Sequence, residues 1–147
     1  VWNACKAVVP AIIDAGGGAV VVTSSVTGDM VADPGEVAYA TTKAALIGFT
    51  KALARELADK NVRVNCICPG YIRTPLVDGM AEQSDPDNPE RAIDAIATAV
   101  PLGRLGTPEE CGELCAFLAS DESSYLTGTQ IVIDGGSTLP ETSSMGQ

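Results

Sequence analysis

The chain has 147 residues, 46% of them hydrophobic and 19% charged, a globular composition that excludes a disordered or fibrous protein. Nine Lys plus Arg against nineteen Asp plus Glu leave a net charge of −10, which repels a phosphate backbone and argues against nucleic acid as a partner. No apolar run reaches the roughly 20 residues needed to cross a bilayer, so no membrane partner is expected.

Residues Val1 to about Ala15 read as a helix closed by Gly16-Gly17-Gly18. The opening VWNACKAVVPAII does not read as a secretory leader, and Val1 stands inside the helical pattern, so the natural start is expected upstream. AVVVTSS follows, a β-branched apolar run suited to a strand buried on both faces. Val26 to Glu36, with Gly28, Asp33, Pro34 and Gly35, reads as loop. A long helix is predicted from Val37 to about Ala58, with Ala44, Ile47, Leu53 and Leu57 among its apolar positions. Asn61 precedes VRVNCIC, a second strand, which Pro69-Gly70 stops.

From Leu76 to Gly106 the pattern is irregular, with an acidic loop SDPDNPE in which Asn88 is a helix cap and Pro89 the first helical position. Thr107-Pro108-Glu109-Glu110 is a capping box opening a helix to about Ser120. TQIVIDGG reads as the last strand and LPETSSMGQ as a loose tail. No repeat or linker divides the chain. Helices alternating with buried strands imply an α/β fold, a doubly wound parallel sheet with about three strands here. Ligands in such sheets sit at the carboxyl ends of the strands. Those ends are Ser24-Ser25, Pro69-Gly70 and Asp134-Gly135-Gly136.

The five cysteines are Cys5, Cys66, Cys68, Cys111 and Cys115, and there is no His. Without paired CxxC spacing or His, a thiolate zinc site is the lesser reading and no metal is expected; buried reduced thiols are the better one and point to the cytoplasm. Absence of His also removes Ser-His-Asp and Cys-His mechanisms. Proton transfer then falls to Tyr, Lys, Asp, Glu or Cys.

Tyr39 and Lys43 are four apart at the start of the long helix and share a face. An ammonium beside a phenol favours the phenolate, which makes the Tyr usable as acid or base. Alone the pair is an ordinary coincidence. Ser25, at a strand end fourteen residues before Tyr39, adds a hydroxyl that could hold a substrate oxygen, although Ser at strand ends usually serves turns, as expected for Ser24. PGYIRTP at 69–75 adds a Gly that allows close backbone approach and a Thr74 hydroxyl; its bland reading is a strand-terminating turn.

SSVTG, YATTK, RVNCICPGYIRTP and YLTGTQIVIDGG, in that order, resemble the short-chain dehydrogenase/reductase family in its ~250-residue form, from Val1 to about Gly136. The resemblance implies a Rossmann-like fold of which 1–147 is a single partial domain, the C-terminal half. It implies a hydride transfer between NAD or NADP and a small-molecule carbonyl/alcohol substrate. Tyr39 would be the general acid/base. Lys43 would bind the nicotinamide ribose and assist Tyr39, and Ser25 would orient the substrate oxygen. Pro69, Gly70, Ile72 and Thr74 would line the nicotinamide side, and Asn65 would tie strands to loops. Residues 76–105 would form the substrate lid, and the whole protein a homotetramer packed through the helices from Val1 and Val37. Two departures stand out: Ser25 to Tyr39 is about one residue longer than in many members, and the glycine-rich TGxxxGxG turn is absent from this sequence. The alternative is a non-catalytic half-domain serving in binding or assembly.

Overall fold

The computed structural model describes residues 1–139; the expected tail lies, from residue 140 on, outside them. Three parallel strands form one sheet in the order β1-β2-β3: β1 (Gly18–Thr23), β2 (Val62–Pro69) and β3 (Gln130–Ile133). The register aligns Val22 with Cys66 and Cys66 with Gln130, and Thr23 with Ile67 and Ile67 with Ile131. β2 and β3 therefore end together at Pro69 and Ile133, and β1 stops two residues earlier, level with Ile67. Ser24 N–H donates to Ile67 O, Val26 N–H to Pro69 O and Gly70 N–H to Ile133 O, which carries the ladder into the turns beyond.

β2 is the central strand, and its sequence says why: VRVNCICP is almost continuously buried, as a strand covered on both faces must be. Val62, Val64, Cys66 and Cys68 face one layer. It is made by α1 (Trp2–Asp14) and α2 (Val37–Leu57), with Cys5, Val9, Ile47, Ala54 and Leu57 packed beneath them. Leu118 of α5 (Pro108–Ala119) is fully buried over the other face. There the Arg63 guanidinium donates to the carbonyls of Leu118, Ser120 and Leu126 and to Ser123 Oγ, and so satisfies the end of α5. Asn65, wholly buried, donates to Leu126 O and accepts from Thr129 N–H. It ties β2 to the loop before β3, as expected.

Two expectations are corrected. The strand read from AVVVTSS is not buried on both faces: of the residues of β1 Val22 alone is buried, and among the described residues β1 pairs with β2 on one edge only. The irregular stretch after Pro75 contains a helix that its acidic, Pro-punctuated sequence concealed, α3 (Pro75–Ser84), before α4 (Pro89–Thr98). Three helices open on the same device, a capping side chain followed by Pro: Thr74-Pro75, Asn88-Pro89 and Thr107-Pro108. Thr107 Oγ1 accepts from Glu110 N–H while the Glu110 carboxylate accepts from Thr107 N–H, so the capping box forms as read. The α3–α4 pair has its own small core of Ala81, Ile93 and Leu105.

Three cysteines (Cys5, Cys66 and Cys68) are buried free thiols, and Cys111 and Cys115 are half-buried. Cys66 and Cys68 lie on one face of β2, where Cys66 Sγ donates to Ile67 O at 3.5 Å, and the neighbouring Cys66 together with burial pushes the Cys68 thiol up. Among the described residues, no helix is long and apolar enough to cross a membrane.

Candidate active site

The carboxyl ends of β1 and β2 meet the first turns of α2. What brings them together is Gly28, in the loop after β1. It adopts φ +107°, and a Cβ there would stand 2.4 Å from the carbonyl oxygen of Ala40. Only glycine lets this loop lie directly against the helix. The contact places the strand end carrying Ser24 and Ser25 beside the turn carrying Tyr39 and Lys43.

The two serines divide their work. Ser24 Oγ donates to Lys43 O at 2.7 Å, fastening the strand end to the helix. Ser25 Oγ accepts from Thr27 N–H at 3.1 Å, a local turn bond that leaves its own proton free to donate elsewhere. Lys43 Nζ donates to Ser24 O at 3.2 Å and Thr23 O at 3.4 Å, the carbonyls at and just beyond the end of β1, and lies 5.5 Å from the centre of the Tyr39 ring. Two of its three donors are thus used and one remains. Tyr39 is exposed (45%), on the face of α2 that Lys43 supports. Ser25 is buried at the strand end.

The other expected residues divide into two groups. Pro69 and Gly70 join the strand-end floor through Val26 and Ile133. The space a Cβ on Gly70 would take is filled by Asp134, whose Cβ would be 2.6 Å away. This glycine admits the approach of its own chain. Asp134 in turn accepts from Gly136 N–H, Thr138 N–H and the hydroxyls of Ser137 and Thr138. Partial burial works to raise its carboxyl, and these bonds outweigh it and hold the group below its ordinary value.

Ile72 pairs in a short bridge with Gly106 and lines a hollow of about 100 Å³ with Tyr71, Leu102, Arg104, Ile133 and Asp134. Ser25, Tyr39 and Lys43 do not line it. Thr74 caps α3, its Oγ1 accepting from Val77 N–H at 3.5 Å. The sequence reading has Gly28 only as a loop residue and Asp134 only as a strand end, and it missed their packing roles and this capping role. A Gly three residues beyond a strand-end Ser and the repeated Thr-Pro pair were the available signals.

The arrangement offers a phenol able to pass a proton, an ammonium fixed beneath it with one free donor, and a hydroxyl donor at the adjacent strand end. Comparison with known proteins places the chain. Residues 1–138 match the family model described as enoyl-(acyl carrier protein) reductase. Among curated relatives, the oxidoreductase UcpA of Escherichia coli is 63% identical over 146 residues, covering 99% of this chain and 56% of that protein. The 3-oxoacyl-(acyl-carrier-protein) reductase FabG of Thermotoga maritima is 46% identical over 136 residues, 92% of this chain and 52% of its own. Among solved structures, the aldohexose dehydrogenase of Thermoplasma acidophilum superposes with a TM-score of 0.92 at 36% identity, covering 99% of this chain and 58% of that one. The L-sorbose reductase of Gluconobacter frateurii, solved with NADPH and L-sorbose, gives 0.85 at 32% identity, over 93% and 53%. The chain belongs to the short-chain dehydrogenase/reductase family. It spans about half the length of the curated relatives it matches.

Proposed function

We propose that the chain carries the catalytic half of an oxidoreductase that moves a hydride between NAD or NADP and a small-molecule carbonyl/alcohol substrate. The observation that supports it best is the Lys43 ammonium, fixed by the Thr23 and Ser24 carbonyls at the end of β1 and lying 5.5 Å from the Tyr39 ring. Tyr39 exchanges a proton with the substrate oxygen, and Ser25 donates to that oxygen with the hydroxyl proton its turn bond leaves free. The remaining Lys43 donor suits a ribose hydroxyl, and Pro69, Gly70, Ile72 and Thr74 flank the nicotinamide side. The nicotinamide, when bound, supplies or accepts the hydride. Residues 76–105, built as the α3–α4 pair, cover the substrate.

The whole protein assembles as a homotetramer through α1 and α2, where Trp2 is 68% exposed and packs against Phe49 with ring centroids 5.8 Å apart and planes tilted by 57°, beside an apolar groove. Its free thiols suit the cytoplasm. A second reading, a half-domain that serves only in binding or assembly, draws support from the outer edge of β1, unpaired among the described residues.

Tyr39→Phe in the full-length protein decides between the two. Turnover on a panel of ketones and alcohols is expected to fall by about 10²–10⁴-fold with nicotinamide binding nearly intact. A kcat within threefold of wild type would remove Tyr39 from the mechanism.

A further inference from the structure

The segment from Thr74 to Leu105 leaves the sheet and returns to it at one place. Arg73 N–H donates to Gly106 O at 2.8 Å and Gly106 N–H to Tyr71 O at 2.9 Å, so the outgoing and incoming chains are stitched together at the base. A Cβ on Gly106 would stand 2.7 Å from Ile72 Cδ1, so glycine makes that approach possible. The incoming side is held independently. Arg104 forms a bidentate pair with Glu110 of α5, and Leu102 N–H donates to Gly135 O after β3.

The outgoing side, with α3 and α4, converges on one residue. Arg73 Nε donates to Asp78 Oδ1 at 3.1 Å, in the first turn of α3. Its two terminal nitrogens grip Glu90, at 3.2 and 2.5 Å, in the first turn of α4. Among the described residues both carboxylates pair with this one cation: without it, two acidic helix starts face each other across the base of the pair. Isolated exposed ion pairs contribute little, but a bidentate fork shared by two carboxylates is the geometry in which they do contribute. The Arg73 pairing holds the Glu90 carboxyl below its ordinary value.

We propose that Arg73 is a positioning residue that latches the α3–α4 pair over the substrate side of the site by holding the N-terminal turns of both helices together. The proposal rests on the function proposed above for the substrate, but the latch itself does not. Arg73 touches no reacting atom. It acts through α3 and α4, and losing it changes an attraction into a carboxylate–carboxylate repulsion that lifts the pair. Such a residue governs how well substrate is held, not the proton or hydride step, so its signature is in KM.

The test uses the full-length protein and reads amide hydrogen exchange and steady-state kinetics side by side. Arg73→Gln is expected to speed exchange in 75–84 and 89–98 and to raise KM for the carbonyl substrate about three- to tenfold, with kcat within twofold. Adding Asp78→Asn and Glu90→Gln removes the repulsion and restores part of both effects. Salt at about 1 M, which shortens screening to roughly 3 Å, brings the Arg73→Gln protein closer to wild type. Arg73→Lys keeps the charge and loses the fork, so it reads the latch even if the glutamine variant does not fold; intermediate exchange is expected. Exchange unchanged in both variants, or no recovery in the triple variant, overturns the latch. A wild-type protein with no NAD(P)-dependent turnover sinks the proposed function instead, and the exchange measurements still decide on Arg73.

Discussion

Gly28 lies so close to Ala40 that a single added carbon would stand 2.4 Å from the Ala40 carbonyl oxygen and 3.2 Å from Ala44 N. Backbone cannot retreat as a side-chain tip can, and φ of +107° strains any L residue. Gly28→Ala is expected to destabilise the fold by about 2–4 kcal/mol from left-handed strain and overpacking together. Because the loop can shift only by disturbing the strand end that Ser24 fastens to α2 and that carries Ser25, activity should fall more than folded fraction does. Urea unfolding beside kcat/KM measures both; a stability within 0.5 kcal/mol of wild type, roughly the range of a neutral surface change, would show that the contact is not firm.

Lys43→Met tests the other link between β1 and α2. The Thr23 and Ser24 carbonyls lose their charged donor, and the free donor disappears with them. A hydrogen bond to a charged group contributes about 1.5–3 kcal/mol, so nicotinamide affinity in the full-length protein is expected to weaken about ten- to hundredfold. Titration calorimetry reads it. Unaltered affinity would leave Lys43 a structural fastener of the strand end.

Much of this was legible in the sequence because it is local. Parallel buried strands announce themselves as β-branched runs, and Asn88, Thr107 and Glu110 cap helices by rules that span four residues. Tyr39 and Lys43 share a helical face by spacing alone. What was hidden depends on distant chain. Gly28 against Ala40 and Gly70 against Asp134 are contacts between separate elements, and nothing near a glycine says what will fill its empty side. Arg73 meets a carboxylate five residues away, which spacing suggests, and another seventeen away, which it does not. Helix α3 is not legible in a stretch whose pattern is irregular because Asp85, Pro86 and Pro89 just beyond it dominate the composition, although Thr74-Pro75 carries the same start signal as Thr107-Pro108.

The capping box predicts an acid response. Arg104 and the Thr107 N–H hold the Glu110 carboxyl at about 2, against an ordinary 4.5. Between those values the unfolded chain binds the proton and the folded chain resists it. The stabilisation is therefore complete above about pH 4.5 and is lost as pH falls toward 2. Glu110→Gln should lower the unfolding midpoint at neutral pH and flatten its decline over this window. An acid limb as steep as that of wild type would mean that other carboxylates dominate it.

The last prediction concerns these 147 residues expressed alone. β1 presents its outer edge with no partner strand among the described residues, and Ala19, Val20 and Val21 are only half-buried. An apolar edge with unpaired backbone donors and acceptors recruits strands from other molecules. The relatives are about twice as long as this chain, and the free edge of β1 is where a larger sheet has room to continue. The sequence also lacks the glycine-rich turn that grips a dinucleotide pyrophosphate at a helix start, so under the proposed function Lys43 and the 69–74 turn would have to hold a cofactor by its nicotinamide end alone. The isolated chain is therefore expected to self-associate and to show neither NAD(P) binding at micromolar concentration nor carbonyl reduction. Ala19→Lys, which places a charge on the edge strand, should reduce the association without restoring binding. Sedimentation velocity and titration calorimetry on both proteins provide the check. A monodisperse monomer that binds NAD(P) and turns over substrate would show that this half needs neither a partner for β1 nor a pyrophosphate grip.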